Sequence, residues 1–219
     1  MTWIKICGIT NLEDALTAVD AGADALGFVF YEKSPRRIAP ETARNIVTEL
    51  PDKVEKVGVF VHGSNEGMEE IARQVGLTAI QVHIDPASNG QIPEPPLSQL
   101  KQYLALPAQL LFGGKGGTWY LPVRKRIDAI FLDSSTEQQP GGTGEVFDWE
   151  QAERMVSPIS KITPIVVAGG LTPSNVNDAM RVLHPWGVDV SSGVEATPGK
   201  KDPQKIRAFI QAVRNIENN

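Results

Sequence analysis

The side chains with the most chemical reach in this chain sit at the ends of short apolar runs. Cys7, the only cysteine, lies in Ile4-Lys5-Ile6-Cys7-Gly8-Ile9-Thr10. Ile4 and Ile6 share one face of that run, and Lys5 and Cys7 share the other. A lone cysteine is ordinarily a small core residue. A lysine beside it changes the chemistry, because a buried ammonium needs a counter-ion and a nearby cation favours the thiolate. Asp133 ends Ala129-Ile130-Phe131-Leu132-Asp133 in the same manner. It is either a turn carboxylate or an acid–base group. Two glycine-bearing stretches, Val167-Ala168-Gly169-Gly170-Leu171-Thr172-Pro173 and Val190-Ser191-Ser192-Gly193-Val194-Glu195, follow late apolar runs. Backbone N–H groups in such turns, leading into a helix N-terminus, suit a phosphate. Arg36, in Ser34-Pro35-Arg36-Arg37-Ile38, has the donor fork for a carboxylate, although a surface position is the default for arginine. His62, His83 and His184 lack metal-ligand spacing.

These groups need a scaffold that brings strand ends together. Strand-like runs are predicted at Trp3–Cys7, Ala25–Phe30, Lys56–Val61, Ala79–Ile84, Gln109–Phe112, Ile127–Asp133, Ile165–Ala168 and Val188–Ser191. Helical spacing is predicted for Leu12–Ala21, Pro40–Leu50, Gly67–Val75, Ser98–Leu104, Trp149–Val156, Pro173–Leu183 and Asp202–Ile216. Asn11 and Gly22 cap the first helix, Pro40 suits a first turn, and Thr172-Pro173 and Asp202-Pro203 offer a cap followed by proline. Gly113–Arg126 is the one unit without a convincing helix. Strict alternation implies a parallel sheet, and eight units imply a closed (βα)8 barrel over residues 1–219; an open doubly wound sheet is the alternative. With the apolar series facing the helices, Lys5, Cys7, Gln81, His83, Asp133, Asp189 and Ser191 face inward, too polar for a passive core. The first and last strands of a barrel are neighbours, so Lys5 is expected to pair with Asp189. Gly141-Gly142-Thr143-Gly144 is either a flexible loop or a lid.

The formal net charge of −5 argues against a nucleic-acid or anionic-membrane surface. A single cysteine suits a reducing cytoplasm, and no signal peptide or membrane-spanning run is expected.

Taken in order, Lys5-Ile6-Cys7-Gly8-Ile9-Thr10, Gly27-Phe28-Val29-Phe30, Ser34-Pro35-Arg36, Gly58-Val59-Phe60-Val61, Gln81-Val82-His83, Leu132-Asp133, Gly141-Gly142-Thr143-Gly144 with Phe147-Asp148-Trp149, Gly169-Gly170-Leu171, and Asp189 to Glu195 with Pro198 to Asp202 span nearly the whole chain. This set resembles the phosphoribosylanthranilate isomerases of tryptophan biosynthesis. The resemblance implies a TIM-type (βα)8 barrel without metal or cofactor. It implies an Amadori rearrangement of an aminoaldose to an aminoketose, on a small phosphosugar-anthranilate substrate. By the same resemblance Cys7 is the general base and Asp133 the general acid. Arg36 binds the anthranilate carboxylate, and Asp189, Gln81 and His83 contact the substrate. Gly169, Gly170, Ser192 and Gly193 form the phosphate cradle. Ile84 stands where the family usually has glycine, and Phe112 to Arg126 departs from the family's fifth unit. The related histidine-pathway isomerase is a rival, but it carries aspartate where Cys7 stands. A non-catalytic phosphosugar-binding barrel would need neither Cys7 nor Asp133.

Overall fold

Eight apolar runs become parallel strands: β1 (Trp3–Cys7), β2 (Ala25–Val29), β3 (Glu55–Phe60), β4 (Ala79–His83), β5 (Lys101–Pro107), β6 (Ala129–Asp133), β7 (Ile165–Val167) and β8 (Gly187–Val190). The structure is a computed structural model that describes residues 1–61, 64–84, 100–109, 127–134 and 146–217. The strands pair in chain order and β8 returns to β1, closing the barrel. The closing register sets Lys5 opposite Asp189. On the other side of β1, Cys7 pairs with Gly27 of β2.

Around the barrel run α1 (Leu12–Ala21), α2 (Pro40–Val47), α3 (Asn65–Val75), α4 (Trp149–Ser160), α5 (Val176–Leu183) and α6 (Pro203–Glu217). Their ends follow local chemistry. The Asn11 side chain accepts from the Asp14 N–H, and Gly22 closes α1 in the left-handed conformation. Pro40 stands in the first turn of α2, and the Asp202 carboxylate accepts from the N–H groups of Gln204 and Lys205 at the start of α6. The helices bury apolar stripes against the outward series of the strands. Ile4, Ile6, Ile80, Val82, Ile130, Leu132, Val188 and Val190 all belong to this layer. Each such side chain contributes about 1.5–3 kcal/mol, so this layer supplies the main stabilisation and leaves the inner face free for polar groups.

Two expected elements fall elsewhere. The fifth strand is Lys101–Pro107 rather than Gln109–Phe112, and residues 101–104 are therefore not helical. Leucine and alanine favour helix intrinsically, but here tertiary pairing wins. The segment hydrogen-bonds to β4 on one side and β6 on the other. Tyr103 and Ala105 turn inward, while Leu104 and Leu106 join the helix-facing layer. Thr172-Pro173 does not open α5, which begins at Val176. Asn175 prevents it: its Oδ1 accepts from the Thr172 N–H (2.7 Å) and its Nδ2 donates to the Gly170 carbonyl (3.0 Å). Side-chain bonds of this kind hold a turn in preference to a helix.

Alanines at 25, 79, 105 and 129 line the barrel interior and leave room for Tyr103, Phe131 and Trp3. Towards the amino ends of the strands, the Tyr103 hydroxyl donates to Glu55 and Trp3 stacks on Trp186 with centroids 5.2 Å apart. That end is plugged. Towards the carboxyl ends, Cys7, Val29 and Val59 form the next layer, and above them the barrel opens.

Candidate active site

The carboxyl ends of the strands surround a cavity of about 410 Å³. Cys7, Arg36, Gln81, His83, Asp133, Gly169, Gly170, Asp189 and Ser192 all line it, although they come from six of the eight strands or the loops that follow them. A concavity of this size suits a small organic ligand. The period of two in each strand explains the convergence, since every second residue must point to the barrel axis. The Gly141–Gly144 stretch, His62 and Gly113–Arg126 lie outside the described residues. His184 is exposed at the end of α5, away from the cavity lining.

Below the mouth, Lys5 is fully buried and its Nζ donates to Asp189 Oδ1 at 3.0 Å. The expected pair therefore forms. Lys5 also stands 5.4 Å from the centre of the Phe131 ring, a favourable site for a cation. Burial disfavours the ammonium, but Asp189, helped by Cys7, more than offsets this, and the Lys5 pKa lies above its ordinary value. Burial pushes the Cys7 thiol up, and the Asp189 charge adds to that, while Lys5 and Lys201 pull it down. Lys5 thus favours the thiolate, as its position in the sequence suggests, but burial outweighs it. His83 is held neutral: burial, with Lys5 nearby, lowers its pKa to about 4. Its Nε2 lies 3.3 Å from the Gln81 amide nitrogen. A neutral ring with its proton on Nδ1 accepts that bond.

The two glycine turns meet at the rim. Gly169 has φ of +75°, and a Cβ there would stand 2.3 Å from the Ser134 nitrogen and 2.7 Å from Asp133 Oδ1. The Gly169–Gly170 turn thus lies directly against Asp133. A Cβ on Gly193 would stand 1.9 Å from the Leu171 carbonyl oxygen. Gly193 does not itself line the cavity; it lets the β8 turn, a 3-10 segment over Ser192–Val194, pack on the β7 turn.

Arg36 lies at the same rim, largely buried, in a fork with Glu195: Nε to Oε1 and Nη2 to Oε2 are both 2.8 Å. Arg37 is exposed and lies 3.8 Å from Glu32. The sequence thus separates two adjacent arginines into one cavity residue and one surface residue. Glu195 begins a hairpin of β9 (Glu195–Thr197) and β10 (Lys200–Lys201). Its Oε1 also accepts from Lys201 Nζ at 3.0 Å.

The family model for N-(5'phosphoribosyl)anthranilate (PRA) isomerase matches residues 4–212. The chain belongs to the N-(5'-phosphoribosyl)anthranilate isomerase family. It is 43% identical over 218 residues to the N-(5'-phosphoribosyl)anthranilate isomerase of Citrifermentans bemidjiense, covering 99% of this chain and 98% of that one. The crystal structure of the phosphoribosyl anthranilate isomerase from Thermotoga maritima superposes with a TM-score of 0.81 at 40% identity, over 98% of this chain and 100% of that chain. A phosphoribosyl anthranilate isomerase solved in complex with reduced 1-(o-carboxyphenylamino)-1-deoxyribulose 5-phosphate superposes with a TM-score of 0.78 at 39% identity, over the same shares. These isomerases share the closed eight-stranded architecture found here.

Within that isomerase framework, the residues that sequence reasoning left without a role are Glu195 and Lys201. Both belong to motifs quoted above, yet 159 residues separate Glu195 from Arg36. Only the fold makes them neighbours. The two are the buried charges of an otherwise exposed hairpin, with Glu195 7% and Lys201 1% exposed, and nothing local in the sequence marks them out from their exposed neighbours.

Proposed function

We infer that this protein isomerises N-(5'-phosphoribosyl)anthranilate to 1-(2-carboxyphenylamino)-1-deoxyribulose 5-phosphate in tryptophan biosynthesis, with residues 1–219 acting as one catalytic barrel. The observation that carries this assignment is the convergence of Cys7, Asp133 and the glycine turns on one cavity. Asp133, as a carboxylic acid, protonates the furanose ring oxygen. The C1–O bond then breaks as the nitrogen lone pair forms a C1=N iminium. The Cys7 thiolate takes the C2 proton, and the electrons of the C2–H bond form C1=C2 and neutralise the nitrogen. The resulting enolamine gains a proton at C1 and loses its C2 hydroxyl proton, giving the ketone. Protons move and no external oxidant is needed.

The other groups bind. Backbone N–H groups of Gly169, Gly170 and Ser192 hold the phosphate, and Gly193 completes the cradle by letting the two turns pack together. Arg36 takes the anthranilate carboxylate. Asp189 positions the substrate near its amine while anchoring Lys5, and Gln81 and His83 complete the wall. His83 is neutral and so does not compete with Lys5 for anionic partners. No helix among the described residues is long and apolar enough to cross a membrane. A reducing cytoplasm suits the free thiol on which the mechanism depends.

The test is turnover of freshly generated phosphoribosylanthranilate, followed by loss of its fluorescence. Cys7→Ser replaces the thiol by a far weaker acid, and Asp133→Asn removes the transferable proton. Each should cost on the order of 10² or more in kcat, with melting temperature and phosphate-ligand affinity nearly unchanged. Near-wild-type turnover in Cys7→Ser would return Cys7 to the core and move the search for the base to His83 and Asp189.

A further inference from the structure

Arg36 is held by a carboxylate that would ordinarily cancel its charge. Glu195 takes the Nε–H and one Nη2–H of the guanidinium. An ion pair of this kind is neutral overall and attracts a ligand anion weakly. Here a second cation is built in. Lys201 Nζ donates to Glu195 Oε1 at 3.0 Å and to the Ser191 carbonyl at 3.1 Å, at 1% exposure. Two cations around one carboxylate leave one positive charge, and the fork with Glu195 uses neither N–H of Nη1.

We propose that Glu195 and Lys201 are positioning residues: Glu195 fixes the plane of the Arg36 guanidinium at the cavity rim, and Lys201 offsets the carboxylate so that Arg36 keeps its charge for a ligand carboxylate. This rests on the assignment of the anthranilate carboxylate to Arg36. The arrangement is rigid. Gly199 N–H donates to Glu195 Oε1 at 3.2 Å, and the Lys201 N–H donates to Asp14 Oδ2 at 2.8 Å. The Thr10 hydroxyl donates to the Gly199 carbonyl at 2.5 Å, which ties the hairpin to the loop after β1. Freezing the guanidinium before a ligand arrives removes part of the ordering cost of binding. A single exposed arginine would bear that cost at each encounter.

The experiment compares two ligands: reduced 1-(o-carboxyphenylamino)-1-deoxyribulose 5-phosphate, and ribulose 5-phosphate, which has the phosphate but no carboxylate. Lys201→Met should weaken the first by about tenfold or more while leaving the second within about twofold. In turnover KM should rise by the same factor as the loss of binding, with any fall in kcat confined to the share of Cys7 thiolate that the Lys201 charge supports. Equal weakening of both ligands, or of neither, overturns the proposal, since a merely structural lysine would not discriminate by carboxylate. The double variant Glu195→Gln/Lys201→Met keeps the cluster's net charge but frees the guanidinium. It should bind the carboxylated ligand more weakly than wild type, and wild-type affinity there overturns the role of Glu195 even if Lys201→Met alone fails to fold. Arg36→Ala separates the two ideas. Loss of the carboxylated ligand in Arg36→Ala with none in Lys201→Met overturns the positioning role alone. No loss in Arg36→Ala overturns the carboxylate assignment and the positioning role with it.

Discussion

Replacing Lys5 by methionine tests the electrostatics beneath the mouth directly. A Cβ built on Gly27 would stand 2.8 Å from Cys7 Sγ and 3.0 Å from Lys5 Nζ, which caps the separation of those two atoms at about 6 Å. At an effective dielectric of about 20, an ammonium and a thiolate at that distance attract by roughly 3 kcal/mol. Losing that attraction should cut the thiolate population at a fixed pH by about a hundredfold. Cys7 is the only cysteine, so the ultraviolet absorbance of the thiolate, followed against pH and corrected with a Cys7→Ser blank for tyrosine ionisation, reports this one thiol. The substitution also strands Asp189, which is 8% exposed and has lost its partner, at a cost of about 3–5 kcal/mol in a urea melt. The double variant Lys5→Met/Asp189→Asn removes both charges and should recover most of that stability. It should not recover the wild-type cysteine titration fully, because the cation is still missing. An unchanged Cys7 titration in Lys5→Met would refute the reasoning, and so would a double variant as unstable as the single one.

Three further outcomes are expected. Gly193→Ala places a methyl group against the Leu171 carbonyl oxygen, a backbone atom that no side-chain rotation relieves; inorganic phosphate affinity by calorimetry should fall about tenfold or more as the two turns separate. His83 titrates near pH 6.5 when unfolded and near pH 4 when folded, so the unfolded state binds the proton more readily. Its contribution to stability is full above pH 6.5 and is lost as the pH falls towards 4, by up to about 3 kcal/mol; urea melts across that range should show the slope in wild type and a shallower one in His83→Gln. Turnover should survive exhaustive chelation, because the proposed steps are proton transfers between side chains and substrate. A sharp loss restored by one divalent ion would overturn that mechanism.

Apolar runs of strand length are enough to place seven of the eight strands, and alternation within them places the polar inward series, because a period of two allows only one assignment once the helix-facing side is known. Lys5 opposite Asp189 followed from closure alone, since β1 and β8 must be neighbours. The fifth strand was not legible. Gln102-Tyr103-Leu104-Ala105-Leu106 carries residues that favour helix, and only its two flanking strands decide otherwise. The start of α5 was misread for a local reason, as Asn175 binds the backbone of residues 170 and 172 and holds a turn where Thr172-Pro173 suggests a cap. In the site, residues on strand ends were visible in the sequence and those on the hairpin after β8 were not. Glu195 and Lys201 act through a neighbour 159 or more residues away, and no short-range pattern encodes that distance.

The Lys5–Asp189 pair has a consequence for the order in which the chain is made. Lys5 leaves the ribosome 184 residues ahead of its partner. Until then β1 carries an ammonium on the face it will bury. An incomplete sheet that rolled up early, with β7 against β1, would trap that charge with only Val166 and neighbouring apolar groups for company. The nascent chain is therefore discouraged from sealing a seven-stranded tube. The last strand of the barrel brings the carboxylate that permits closure, so the ion pair beneath Cys7 also favours the complete eight-stranded barrel over a shorter one.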